Sequence, residues 1–167
     1  MEREISQIEP SITLIEKRDN ISQTLKQLNE KFDVVIVDVA GRNSKELVTG
    51  GVVADFIIAP HQCSQLDLDT LIELKVQVDG IRNLNPNLQI YCYQTMATTN
   101  PLLREKERAE FIEFVSEFQE FHILESVAHY RKVYRDVMSE GKSVLETSNE
   151  LAKNEVLSLL GEVFQWR

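Results

Sequence analysis

The chain has 167 residues, 43% hydrophobic and 27% charged, the proportions of an ordinary soluble domain with a sizeable core. Its formal net charge of −9 argues against a nucleic-acid footprint over the whole surface, but allows a local basic patch or one assembled by a dimer. No apolar stretch approaches ~20 residues, so nothing is expected to span a membrane. The two cysteines, Cys63 and Cys92, have no CxxC or HxxxH spacing around them and fit a reducing cytoplasm, not a metal site.

Met1-Glu2-Arg3-Glu4 carries acids and no apolar segment, so it does not read as a secretory signal. Ser11–Ile15 reads as a short strand. Asn20 caps a helix to about Lys31, with Ile21, Leu25 and Leu28 on one face. Val34–Asp38 reads as a central strand, because an unbroken β-branched run has no polar side to give to water. Ser44 opens a short helix that Gly50-Gly51 weakens or ends. Ala54–Pro60 is a buried strand closed by proline. Asp67–Asn83 is a helix with the stripe Leu68, Leu71, Leu74, Val78 and Ile81.

After the turn Asn85-Pro86-Asn87, Leu88–Tyr93 is a strand, and Asn100-Pro101 starts a helix to about Glu117. Phe111, Phe114, Phe118 and Phe121, spaced three, four and three apart, form a core stripe and not a base-stacking platform. His122–Leu124 is a brief strand. Ala128–Ser139 and Thr147–Phe164 are the last helices, with Gly141 as a C′ glycine after the first. Strands alternating with helices define a single α/β domain, a doubly wound, mostly parallel sheet with helices on both faces.

Asp38 stands at the carboxyl end of its strand, where open α/β sheets bind ligands. In nucleotide hydrolases such an acid organises Mg²⁺, usually through water, and a following glycine, here Gly41, lets the next loop approach a γ-phosphate. Taken alone the motif reads rather as a buried strand ending in a polar turn, since strand–Asp–turn is common in α/β folds.

Four segments occur in one order: Phe32–Arg42, Ala54–Pro60 with Ser64–Leu68, Thr99-Asn100-Pro101, and Tyr130–Arg135 with Glu140–Glu146. Together they resemble the ParA/MinD family of deviant-Walker ATPases, especially the small plasmid-partition ParA type, from about Ile12 to Phe164. The resemblance implies a P-loop NTPase-like fold and a role in plasmid or chromosome partition. It further implies ATP-dependent dimerisation, nonspecific DNA binding and a centromere-bound partner that stimulates hydrolysis. By position, Asp38 is the Walker B acid and holds Mg²⁺ through water. Val39-Ala40-Gly41 senses the γ-phosphate, and Ser64–Asp67 leads to the dimer helix. Gln94 replaces the asparagine that reads adenine. Arg131, Lys132 and Arg135 stand where ParA-type proteins use late basic residues on DNA.

The family's glycine-rich K-G-G-x-G-K-T loop and its D-x-D-x-Q segment have no counterpart; Gly50-Gly51 is followed by valine. Relative to the family the chain reads as N-terminally truncated. Phosphates need that loop's N–H groups and lysine, so ATP and Mg²⁺ are expected by resemblance but ATPase activity is expected to be weak or absent. The place of the missing strand is expected to be filled by a shift of Ser11–Ile15, by a strand from a second copy, or by a longer chain.

The alternative is an inactive ParA-like interaction protein that assembles with itself or a full-length relative. An unrelated flavodoxin-like binding domain must treat the four ordered matches as chance. Arg104, Lys106 and Arg108 alternate with glutamates and read as a solvated helix face, whereas Arg131–Arg135 reads equally as a solvated face or a DNA contact. His61 reads as a hydrogen-bonded structural histidine, and the absence of Gly-x-Ser-x-Gly disfavours a hydrolase triad.

Overall fold

The computed structural model describes residues 13–40 and 44–164, and for 65–68 the backbone only. The fold is α/β, with a three-stranded parallel sheet flanked by helices. The strands are β1 (Phe56–His61), β2 (Gln89–Ala97) and β3 (Phe121–His129), in that spatial order. The helices are α1 (Ser22–Asn29), α2 (Lys45–Gly51), α3 (Gln65–Arg82), α4 (Pro101–Val115), α5 (Lys132–Asp136) and α6 (Glu150–Val163).

Strand alternation sorts the sheet into two faces. Ile57 and Ala59, Ile90 and Cys92, and Phe121 and Ile123 lie in register on one face, in a single core with Leu71, Leu74, Val78 and Ile81 of α3 and Phe111 and Val115 of α4. Two successive crossovers advancing in one direction put both helices on that side. The other face carries Phe56, Tyr91 and His122, with Tyr91 T-shaped against Phe56 and tilted against His122, and Phe164 beyond α6 closes on Phe56 at 5.8 Å. Helices therefore cover both faces, as the periodicity predicts.

Local chemistry sets the boundaries. The Ser44 hydroxyl accepts from Leu47 N–H at the start of α2, and the Asn100 side chain accepts from Leu102 N–H at the start of α4, with Pro101 next. Gly141 is left-handed (φ 65°) and ends the single turn Val137–Glu140. The phenylalanine stripe is core: Phe111, Phe118 and Phe121 are buried, and the rings of Phe118 and Phe121 stack at 5.4 Å.

Four expectations need correction. Val34–Asp38 is not a strand: the segment is irregular, and Val34, Ile36 and Val37 are 42%, 84% and 41% exposed. Only Val39 after it packs against the main core. Backbone N–H and C=O groups hold a strand in a sheet only where a neighbour takes them up, and no described strand lies beside this segment. Residues 13–15 are likewise irregular, with Leu14 and Ile15 exposed; Ser11 and Ile12 lie outside the described residues. The His122–Leu124 strand is longer, running through His129. It thereby displaces the helix expected from Ala128, which starts only at Lys132.

The outer edge of β1 is open. Asp55 turns its C=O to Gln89 of β2, so Phe56 and Ile58 turn their N–H and C=O outward, where no described residue bonds them. Pro60, on the same outward side, has no N–H and ends the stretch that another strand can pair with.

Two glycines in helices differ in surroundings. A Cβ at Gly80 in α3 meets nothing within 4 Å, whereas one at Gly51 lies 3.0 Å from Cδ1 of the fully buried Ile81. Gly80→Ala should raise stability by about 0.5–1 kcal/mol, and Gly51→Ala should lower it by about 1 kcal/mol or more. Chemical denaturation of the two variants checks the opposite signs.

Candidate functional site

Where β2 and β3 run out, their pairing slips. Cys92 pairs with Ile123, Gln94 with Val127 and Ala97 with His129, so β3 carries extra residues between the first two pairs. Met96 takes a positive φ of 54° in this stretch. A slip of this kind frees backbone groups from the ladder. Side chains from both flanking helices take them up.

From α6, Glu162 accepts from Glu125 N–H at 2.6 Å, from Ser126 N–H at 2.9 Å, and from the Ser126 hydroxyl. From α4, Arg108 donates to Leu124 C=O at 2.6 Å and to Gln94 Oε1 at 3.2 Å. Gln94 Nε2 donates to Glu107, which also accepts from Thr98 N–H at 3.1 Å. Gln94 is 1% exposed and has both ends of its amide engaged within the protein.

About two turns before Glu162 on α6, Glu155 gathers three side chains. His129 Nδ1 and Arg131 Nε each lie 2.8 Å from its Oε1, and the Tyr134 hydroxyl donates to Oε2 at 2.9 Å. A carboxylate only accepts, so Nδ1 carries the histidine proton there. Burial and the bond to Glu155 push the Tyr134 hydroxyl well above its ordinary range, and burial lifts Tyr93 to about 12. Burial also pushes the Cys92 thiol to about 12 and raises Cys63, so both stay protonated at neutral pH.

The residues singled out in the sequence fall in different places. Asp38 is exposed in the irregular segment, and Gly41 lies outside the described residues. Gln94 is in the buried network just described. Arg131 is held by Glu155, with 19% of its side chain exposed, while Lys132 and Arg135 are 76% and 73% exposed and share Asp136 as a surface ion-pair partner. His61 Nδ1 lies 3.3 Å from the Thr70 hydroxyl. Because the strands are parallel, Ser64 and Arg131, which follow β1 and β3, and Gln94, in the carboxyl half of β2, all lie toward one end of the sheet.

The sequence places Arg108 on a solvated helix face, which the structure corrects, and does not single out Glu155 or Glu162. Arg108 precedes Phe111 and Val115 by three and seven residues, so the core stripe extended backward places it inward. Its guanidinium sits 5.7 Å from the Phe111 ring centre, not on a solvated face. Glu155 and Glu162 are seven apart, on one side of α6; nothing local distinguishes that side from the solvent side.

A cleft of about 450 Å³ opens beside this network, lined by Gln94, Arg108, Ile112, Val127 and His129 among others. A larger one, of about 660 Å³, lies at the opposite, amino ends of β1 and β2, beside Asp55 and Gln89. Ligand sites of open α/β sheets lie at the carboxyl ends, and the convergent polar side chains are there too, so the smaller cleft is the candidate site. Among the described residues no group of three metal-ligating side chains occurs, and no helix is long and apolar enough to cross a membrane.

A parallel sheet with helices on both faces and polar groups gathered at its carboxyl end defines an α/β protein consistent with a P-loop-like arrangement. No protein-family model and no curated protein matches the chain. Among solved structures it is similar to the crystal structure of a plasmid partition protein from Borrelia burgdorferi. The identity is 18% and the TM-score 0.48, over 77% of this chain and 53% of that one. The chain thus spans about half the length of that structure.

The Glu162 carboxyl is held below its ordinary 4.5: burial pushes it up, but the Ser126 hydroxyl, the two backbone N–H groups and the Arg108 charge outweigh that. A folded-state value below the unfolded one stabilises at higher pH and loses that contribution as pH falls through it. Glu162→Gln should therefore cost about 1–3 kcal/mol at neutral pH. The deficit should shrink as pH drops below 4.5 in parallel urea titrations of parent and variant.

Proposed function

We propose that this chain is a ParA-like partition module that acts by assembling with a second copy, not as an ATPase in its own right. The observation that carries this reading is the position of Asp38. The acid that the resemblance assigns to Mg²⁺ stands exposed in a segment outside the sheet, and Val34, Ile36 and Val37 before it are exposed. The open edge of β1 supports the same reading, since Phe56 and Ile58 offer backbone groups and Val34–Val37 offers an unpaired apolar stretch. Two copies related by a two-fold axis satisfy both needs at once, each lending its segment to the other's edge. Base reading by Gln94 would need its amide, 1% exposed and bonded to Glu107 and Arg108, to become accessible first.

In a titration of the purified chain, ATP·Mg²⁺ should show no saturable binding below millimolar concentration, and Asp38→Ala should change nothing. The chain should sediment as a dimer, with Ile36→Lys weakening self-association by roughly tenfold or more, the equivalent of about 1.4 kcal/mol of lost apolar burial. Micromolar ATP binding that disappears in Asp38→Ala would instead establish a working nucleotide site.

DNA binding belongs to the same reading. With Arg131 engaged by Glu155, the exposed cations of its cluster are Lys132 and Arg135. Replacing both with alanine should weaken binding to duplexes of any sequence alike. It should also reduce the slope of log affinity against log salt by up to about 1.8, two phosphate contacts at about 0.9 each. Fluorescence anisotropy across a salt series checks this.

A further inference from the structure

Arg108 is a partly buried cation with no carboxylate bonded to it among the described residues. Its guanidinium is half-buried, which lowers its proton affinity, yet both groups it is bonded to are neutral: the Gln94 amide oxygen and the Leu124 carbonyl. Glu125 and Glu162 act on it only through their charge. Of the five N–H groups of a guanidinium, these bonds use two, which leaves three without a bonded acceptor among the described residues. The Phe111 ring and the two acceptors fix the plane of the group. A desolvated, oriented cation with spare donors and no bonded carboxylate is what a carboxylate ligand needs, because the charge-assisted pair then forms without further ordering of the side chain.

The surroundings narrow the ligand. The cleft that Arg108 lines, about 450 Å³, falls in the range of small-molecule sites. Ala97, Ala109, Ile112 and Val127 give it apolar walls. Arg104 stands one turn before Arg108 on α4, and Glu105 and Glu125 line the same cleft. Arg104 and Arg108 share the cleft with Glu105 and Glu125, with Glu162 acting on Arg108 from beside it, so the site has no cationic surplus to hold a polyanion such as a triphosphate, and what it offers a single carboxylate is the local pairing with the spare donors of Arg108.

We propose that the cleft between α4 and the carboxyl ends of β2 and β3 binds a small monocarboxylic acid with an apolar body, its carboxylate on Arg108 and its body against Ala97, Ala109, Ile112 and Val127. The site is separate from the assembly surface at β1 and stands or falls independently of it.

Benzoate tests the charge and the body together, benzamide keeps the body without the charge, and inorganic phosphate keeps charge without the body. Calorimetric or NMR titration of the full chain should give saturable benzoate binding, at least tenfold tighter than benzamide or phosphate. Arg108→Gln should remove the preference for benzoate over benzamide. Ala109→Phe, at an exposed helix position, fills the cleft while leaving the Arg108 side chain itself in place, and should abolish benzoate binding while the thermal midpoint is retained. The Ala109→Phe arm decides the matter even if Arg108→Gln fails to fold. Benzamide or phosphate binding as tightly as benzoate, benzoate binding that survives Ala109→Phe, or no saturable benzoate binding would each overturn the proposal.

Discussion

Where β2 and β3 fall out of register, the backbone of Leu124, Glu125 and Ser126 loses its ladder partners inside a covered sheet. Buried N–H and C=O groups left unpaired cost roughly 1–3 kcal/mol each, so the slip survives only because other groups satisfy it. Glu162 supplies a carboxylate from one face and Arg108 a guanidinium from the other. These two contacts fix how α6 and α4 sit against the end of the sheet. They also decide the character of the candidate site, since Arg108, drawn inward to meet Leu124, brings Gln94 and Glu107 with it.

Glu155 does related work one step along. Its carboxylate ties the end of β3 to the start of α5 through His129, Arg131 and Tyr134, and beyond them a small second core forms from Val137, Val144 and Ala152. α6 thus binds the carboxyl end of the sheet at two points seven residues apart. A cation that in sequence looks available to a phosphate backbone is internal for this reason, and the basic surface of the cluster shrinks to Lys132 and Arg135.

At the other side of the sheet the situation is reversed, with backbone groups that no described side chain satisfies. β1 turns the backbone groups of Phe56 and Ile58 outward and closes its edge at Pro60, while Val34, Ile36 and Val37 are exposed in a segment that belongs to no strand. An apolar run and an open edge each gain from a strand neighbour, and their coexistence in one chain is the physical basis of the assembly reading.

Helix periods, caps and turn residues are legible from the sequence because they depend on neighbours within a few positions. The stripe Leu71, Leu74, Val78 and Ile81, the Asn100-Pro101 start and the Gly141 stop all reappear where local chemistry puts them. Asp38 and its valines show the limit of that logic: their composition asks for a central strand, but a strand exists only if another chain segment lies beside it, and composition is silent on that. The same holds for Arg108 and Glu162. Which charged residues of a helix turn inward was settled by a register slip between two strands distant in sequence, because only there did buried backbone groups need a carboxylate on one side and a guanidinium on the other.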